Sequence, residues 1–290
     1  MRPPGARMSL DLSTIGHTTE AFVYEYDWKT VVLYALGVGM TQDDLDFLYE
    51  GRGPRVLPTF AVVPSYGPVA ALFEKTRSDM TRLVHGNQLV RWHAPIPPAG
   101  RLESVGTVKG IYDMKKLAQV VLATKTTCEG KPCFDTEWTL LIRDAGNFGG
   151  ERPPKSEAPK VPDRPADFSV ELPTRPEQAL LYRLSGDLNP LHADPTFAAN
   201  VGFADGPILH GLCTYGIVGR ALLKTACAGD ERRLLSLGVQ FRRPVWPGEA
   251  IRTTGYVLES GRIALEAFAG DKPDPVITSA WADIAPPRGA

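Results

Sequence analysis

Hydrophobic and polar positions along the chain fall into two similar halves. Ile208 to Leu223 reads Ile-Leu-His-Gly-Leu-Cys-Thr-Tyr-Gly-Ile-Val-Gly-Arg-Ala-Leu-Leu, which predicts a helix buried on most faces. Gly211, Gly216 and Gly219 each cost up to ~1 kcal/mol inside a helix, so they predict close approach of neighbouring backbone. Leu237, Val239 and Phe241 alternate with Gly238, Gln240 and Arg242, the period of a half-buried strand. A Pro-Gly turn at Val245–Gly248 leads to a further strand over Arg252–Leu258. In the first half, Ser65–Phe73 reads as the matching helix. Leu89–Trp92, Ser104–Ile111, Leu117–Thr127 and Thr136–Ile142 read as strands.

The likeness of the halves has a fixed step. Pro95, Pro98, Leu102, Gly106 and Val108 match Pro244, Pro247, Ile251, Gly255 and Val257, each pair 149 positions apart. Pro58 and Pro207 share that step, as do Gly37 and Gly186. A constant offset over distant segments is the mark of duplication. Between the halves, Asn147 to about Phe168 is rich in proline and charge, and reads as a surface linker. The expected organisation is a first repeat at 1–146, a linker at 147–168 and a second repeat at 169–290. One buried helix wrapped by an antiparallel sheet is a hot-dog unit. The expected fold is therefore α+β, a double hot-dog with its sheets paired edge to edge, which also hides edge strands.

Composition adds only limits. The 290 residues carry a formal net charge of −1, which gives no global attraction to nucleic acid or an anionic membrane. No apolar run reaches the ~18 residues of a membrane span. Met1–Leu10 does not read as a secretory signal (Met8 is an alternative start), and Pro287-Arg288-Gly289-Ala290 is not a peroxisomal address. Cys128, Cys133, Cys213 and Cys227 show neither disulfide nor zinc spacing. A cytoplasmic protein with reduced thiols is the expectation.

Candidate chemistry concentrates in Tyr182-Arg183-Leu184-Ser185-Gly186-Asp187-Leu188-Asn189-Pro190-Leu191-His192-Ala193-Asp194-Pro195. Asn189-Pro190 favours a turn. Asp194 and Pro195 read as the N-cap and first position of a short helix running through Ala199. Asp187 and His192 then flank a tight turn that can aim both into one cleft, ahead of the helix bearing His210-Gly211.

This segment, with Gly-Phe-x-x-Gly-Pro-Ile-Leu-His-Gly-Leu after it, resembles the hydratase 2 motif of MaoC-like (R)-specific enoyl-CoA hydratases. Tyr34-Ala-Leu-Gly-Val-Gly39, Leu48-Tyr-Glu-Gly51 and Leu57-Pro-Thr-Phe60 match recurring phrases of the family's partner domain. The resemblance runs from about Asp27 to Asp283, and is similar to the hydratase region of peroxisomal multifunctional enzyme type 2. It implies addition of water to a trans-2-enoyl-CoA, giving the (3R)-3-hydroxyacyl-CoA in fatty-acid metabolism, on one water gripped by Asp187 and His192. His192 is assigned as base and Asp187 as proton donor, with the reverse left open. Asn189 would orient the water or the carboxyl group. The Gly211 N–H would stabilise the thioester oxyanion. Glu50 is either an accessory acid or a solvated surface group. His210 reads as a structural histidine.

At the 149-residue step Asp187, Asn189 and His192 fall on Val38, Met40 and Asp43. The first repeat is thus expected to be non-catalytic and to accommodate the acyl chain. Arg91, Lys115, Lys116, Arg242 and Arg243 are candidates for the CoA phosphates. No metal or redox cofactor is expected, because hydration moves no electrons and no His-x-x-x-His spacing occurs. The partner is an acyl-CoA substrate, and a homodimer is the expected assembly. The rival readings are a hot-dog acyl-CoA thioesterase and an inactive acyl-CoA-binding subunit.

Overall fold

The structure, a computed structural model, describes residues 10–287. The readings of the chain start and of the last three residues lie outside them. The first repeat runs β1 (Phe22–Tyr26), α1 (Trp28–Gly37), α2 (Leu45–Leu48), α3 (Tyr66–Lys75), β2 (Leu83–Trp92), β3 (Gly100–Asp113), β4 (Leu117–Cys128) and β5 (Lys131–Arg143). The second runs β6 (Phe168–Leu172), α4 (Gln178–Tyr182), α5 (Pro195–Asn200), α6 (Gly211–Lys224), β7 (Leu234–Phe241), β8 (Ile251–Val257), β9 (Ile263–Ala269) and β10 (Ile277–Ile284).

All ten strands form one antiparallel sheet in the order β1-β3-β4-β5-β2-β7-β10-β9-β8-β6. Exchanging each strand for its repeat counterpart reads this order backwards, so the halves are related by a pseudo-two-fold axis. The axis is located by the β2–β7 register, where Leu89 faces Gly238, its own counterpart 149 positions on. This is the double hot-dog, joined edge to edge.

Helix α6 is buried along Leu212–Leu223. Two of its glycines face side chains of the first repeat rather than the neighbouring backbone expected: a Cβ on Gly216 would run into Val38 Cγ1, and one on Gly219 would sit 2.6 Å from Thr59 Cγ2. In the same helix buried Arg220 reaches into the first repeat, donating to the Val38 carbonyl at 2.9 Å and to Asp44 at 3.4 Å. The helix starts three residues later than its apolar run predicts. Leu209 N–H is tied to the Val245 carbonyl at 2.7 Å, and the Ile208 carbonyl accepts from His192, so 208–210 stays extended.

The half-buried alternation expected at 237–241 does not hold. Ser236 through Val239 are all buried, because β7 is a central strand and Trp281 covers the face that alternation assigns to solvent. Residues 144–167 form no helix or strand. They strap the outer face of the sheet, where Arg91 donates to the Glu157 side chain at 2.9 Å and Arg262 to the Glu157 carbonyl at 3.4 Å. Among the described residues no helix is long and apolar enough to cross a membrane.

Candidate active site

Local turn chemistry builds the site. A 3-10 turn over Arg183–Ser185 ends at Gly186, whose φ of +124° favours glycine and swings the chain toward Asp187. Pro190 opens a second 3-10 turn through His192, capped by Asn189 Oδ1, which accepts from Leu191 N–H at 3.0 Å. Asp194 then caps α5, accepting from Thr196 and Phe197 N–H. Asn189 is exposed, and its carbonyl oxygen is committed to this turn. That bond and the one its main-chain N–H gives to Asp187 both hold the bend between the two titrating groups.

The bend brings Asp187, His192 and His210 together, each with a donor atom within 4.8 Å of the others. His192 is 8% exposed, and its Nδ1 lies 2.8 Å from the Ile208 carbonyl. That acceptor requires the proton on Nδ1 and leaves the Nε2 lone pair for chemistry. His210 packs face to face on His192 with ring centroids 3.7 Å apart, and its Nε2 lies 3.2 Å from the Asp187 carbonyl.

The Asp187 carboxylate accepts on both oxygens, from Tyr66 O–H at 2.8 Å and from Asn189 N–H at 3.2 Å. Burial works against its ionisation. The two imidazoles, the Tyr66 hydroxyl and the Asn189 amide more than offset this, holding its pKa below the usual carboxylate range. Burial keeps His192 below its ordinary value and pushes His210 down to about 3, with His192 adding to the latter effect. The resting site is thus a carboxylate beside neutral imidazoles.

Gly211 opens α6 directly after His210, and no acceptor for its N–H occurs among the described residues. A free first-turn N–H at a helix N-terminus favours a developing negative charge. Beside it an aromatic wall crosses from one repeat to the other. A Cβ on Gly211 would meet the Phe241 ring at 3.4 Å. Phe241 lies 5.0 Å from the His85 ring, which stacks at 5.0 Å on Trp138, whose ring Tyr66 meets edge-on at 5.2 Å. Next to Tyr66 a groove of about 240 Å³ lies between the repeats, lined by Phe22, Tyr24, Val63, Leu184 and Gly186 among others.

Sequence reasoning missed Tyr66, Trp138 and His85. The one available signal was the 149-residue step, which makes Tyr66 the counterpart of Tyr215 in the buried helix. At the first repeat's copy of the site, Val38 and Met40 are fully packed and Asp43 is exposed. That position is core rather than a freed cavity, and the open space lies instead in the inter-repeat groove.

Glu50 is not brought into the group. It sits on an exposed turn after α2, in a loop that Arg55 anchors to Gly229 and Glu231 past the far end of α6, about 20 Å along the helix from Gly211. Arg242 and Arg243 follow Phe241 and are exposed near the Gly211 end, with Arg243 paired to Asp274 at 2.6 Å. Lys115 and Lys116 are exposed in the β3–β4 turn. Arg91 is paired on the outer face.

Known proteins match along both repeats. Residues 24–144 match the family described as MFE-2 hydratase 2 N-terminal domain, and residues 157–278 match the MaoC like domain. A 3-hydroxyacyl-thioester dehydratase Y from Mycobacterium tuberculosis is 42% identical over 265 residues, covering 88% of this chain and 90% of that one. A probable enoyl-CoA hydratase 2 from Dictyostelium discoideum is 35% identical over 289 residues, covering 96% and 98%. The crystal structure of a MaoC-like dehydratase from Phytophthora capsici superposes with a TM-score of 0.87 at 29% identity, covering 97% of this chain and all of that one. With matches spanning both repeats and the linker between them, the chain belongs to the MaoC-like hydratase 2 family of hydro-lyases.

Proposed function

We propose that the chain is an (R)-specific enoyl-CoA hydratase that adds water reversibly to a trans-2-enoyl-CoA. One observation carries the reading of the site: Asp187 and His192 present proton acceptors within 4.8 Å of each other and of His210, which directly precedes the free N–H of Gly211. A water between His192 Nε2 and Asp187 gives its oxygen to C3 and its proton to one of the two groups. Because Asp187 rests as a carboxylate and His192 as a neutral base, neither carries a spare acidic proton. The proton delivered to C2 is therefore the one taken from that water. Assigning Asp187 as the donor holds only after it has received this proton. Oxygen and hydrogen then arrive on the same face, and atoms balance as water plus enoyl thioester to 3-hydroxyacyl thioester. The Gly211 N–H faces the thioester oxygen as enolate charge develops.

The acyl chain runs into the groove beside Tyr66, so the first repeat accommodates the tail while the second performs the chemistry. Arg242 and Arg243, with Lys115 and Lys116 further out, meet the CoA phosphates. No cofactor is required. Four free cysteines are consistent with a reducing cytoplasm. The short end strands β1 and β6 offer edges on which a homodimer can form. Crotonyl-CoA tests the reading. Loss of enoyl absorbance with a (3R) product supports it. Release of free CoA would instead mark a thioesterase, and binding without turnover an inactive subunit.

A further inference from the structure

The Asp187 carboxylate is held from the opposite repeat. Tyr66 opens α3, and its hydroxyl donates to Asp187 Oδ2 at 2.8 Å. Its counterpart Tyr215 lies 149 positions later within α6, fully buried, and donates to the Leu237 carbonyl at 3.1 Å. The same side chain at the same register is thus core in one copy and faces the reacting carboxylate in the other. Its ring is fixed before any substrate arrives. Trp138 holds it edge-on. Trp138 Nε1 in turn donates to Thr136 Oγ1 at 3.0 Å, and Thr136 pairs with Thr124 at 2.8 Å.

We propose that Tyr66 is a positioning residue for the hydration reaction: its hydroxyl sets the orientation of Asp187 and keeps the carboxylate ionised, so the first repeat completes the second repeat's active site. This rests on the reading of Asp187 as an acid–base group. The phenol is a donor that does not release its proton, since burial and the adjacent carboxylate raise its pKa well above the usual value.

The other groups around Asp187 are His192 on its own turn, His210 before α6, His85 on β2, and Tyr182 and Arg183 at the end of α4. Burial disfavours the charged forms of His192, His210, His85 and Tyr182. The Arg183 guanidinium points to the Leu188 carbonyl, at 3.5 Å. Beside the electrostatic effect of His210 and His192, the hydrogen bonds from Tyr66 and the Asn189 amide are the donors that touch the carboxylate itself.

Tyr66→Phe is expected to lower kcat by roughly 10- to 100-fold, with KM within about twofold. The acid limb of its pH profile moves up by about one unit or more, the size of a lost hydrogen bond to a charged group. Tyr215→Phe serves as comparator and leaves that limb in place. If the limb is unmoved in Tyr66→Phe, whatever the change in kcat, the role is purely structural and the proposal is overturned. Should Tyr66→Phe fold poorly, a fluorotyrosine installed in place of Tyr66 is a stronger donor and moves the limb down; an unmoved limb there also overturns it. Asp187→Asn separates the two readings. An active Asp187→Asn sinks the acid–base assignment itself, whereas an inactive Asp187→Asn with an unmoved limb in Tyr66→Phe sinks only the role of Tyr66.

Discussion

Gly211→Ala separates two reasons for a glycine at this position. If Gly211 served packing alone, a methyl group would destabilise the protein. The geometry gives the opposite sign. Gly211 is the first residue of α6, its φ is not in the left-handed region, and a Cβ would meet only the Phe241 ring at 3.4 Å, an ordinary contact. Replacing glycine there restricts the unfolded chain and stabilises the fold by about 0.4–1 kcal/mol, which raises Tm by about 1–3 °C in a chain this long. The same methyl stands beside the N–H that faces the thioester oxygen. Alanine keeps that N–H, so the methyl acts by crowding the approach of the thioester. Displacing the oxyanion from one such donor costs up to about 10²-fold in kcat, so kcat/KM should fall by up to about 100-fold. Calorimetry and crotonyl-CoA hydration measure the two effects on one sample. Wild-type kcat/KM would rule out close approach of the thioester at Gly211, and a Tm lowered by several degrees would refute the packing argument.

Asp187→Asn keeps the shape of the turn and removes the carboxylate; kcat should fall about 10³-fold, and substantial residual turnover would point to a second site per chain. His85 and His210, pushed down to about 4 and about 3 mainly by burial, protonate more readily in the unfolded chain. Their contribution to stability is therefore complete above about pH 6.5 and declines as pH falls, by about 2 kcal/mol for each at pH 5; urea titrations at pH 5 and above pH 7 giving equal stabilities would contradict neutral burial. Arg220→Ala leaves Asp44 and the Val38 carbonyl without their buried partner and should cost about 3 kcal/mol. In a double-mutant cycle with Asp44→Ala the two losses should fall well short of additive, and additive losses would deny the link. Arg242→Glu should raise KM for the CoA substrate at unchanged kcat, an effect shrinking with added salt; an unchanged KM removes Arg242 from the phosphate site.

The parts of the site legible in the sequence are those whose partners are close along the chain. Asp194-Pro195 announces its own helix, and Asn189-Pro190 its own turn, so the bend carrying Asp187 and His192 follows from local rules. The absence of helix and strand over 144–167 was legible because proline crowds that stretch. Tyr66 was not, because its partner lies 121 positions away and its only sequence relation is to a core tyrosine. Periodicity misled at β7, where neighbours on both faces of the sheet outweigh the alternation of residue types. It also misled at the start of α6, where Ile208 and Leu209 bond elsewhere. Glu50 stood out by its motif phrase, yet the salt links of its loop carry it to the far end of the helix.

At a true two-fold axis a residue must meet an identical copy of itself. The covalent fusion of the halves lifts that requirement at Leu89 and Gly238. Here a branched side chain leans over a bare backbone, with Leu89 Cδ1 3.4 Å from where a Cβ on Gly238 would stand. The Trp281 indole, 2.9 Å from the same point, shares that space with Leu89, so a side chain at 238 would collide with both. A knob facing a hollow is a fit that separate identical subunits cannot make with themselves, and it favours the joined halves over exchange of one half between molecules.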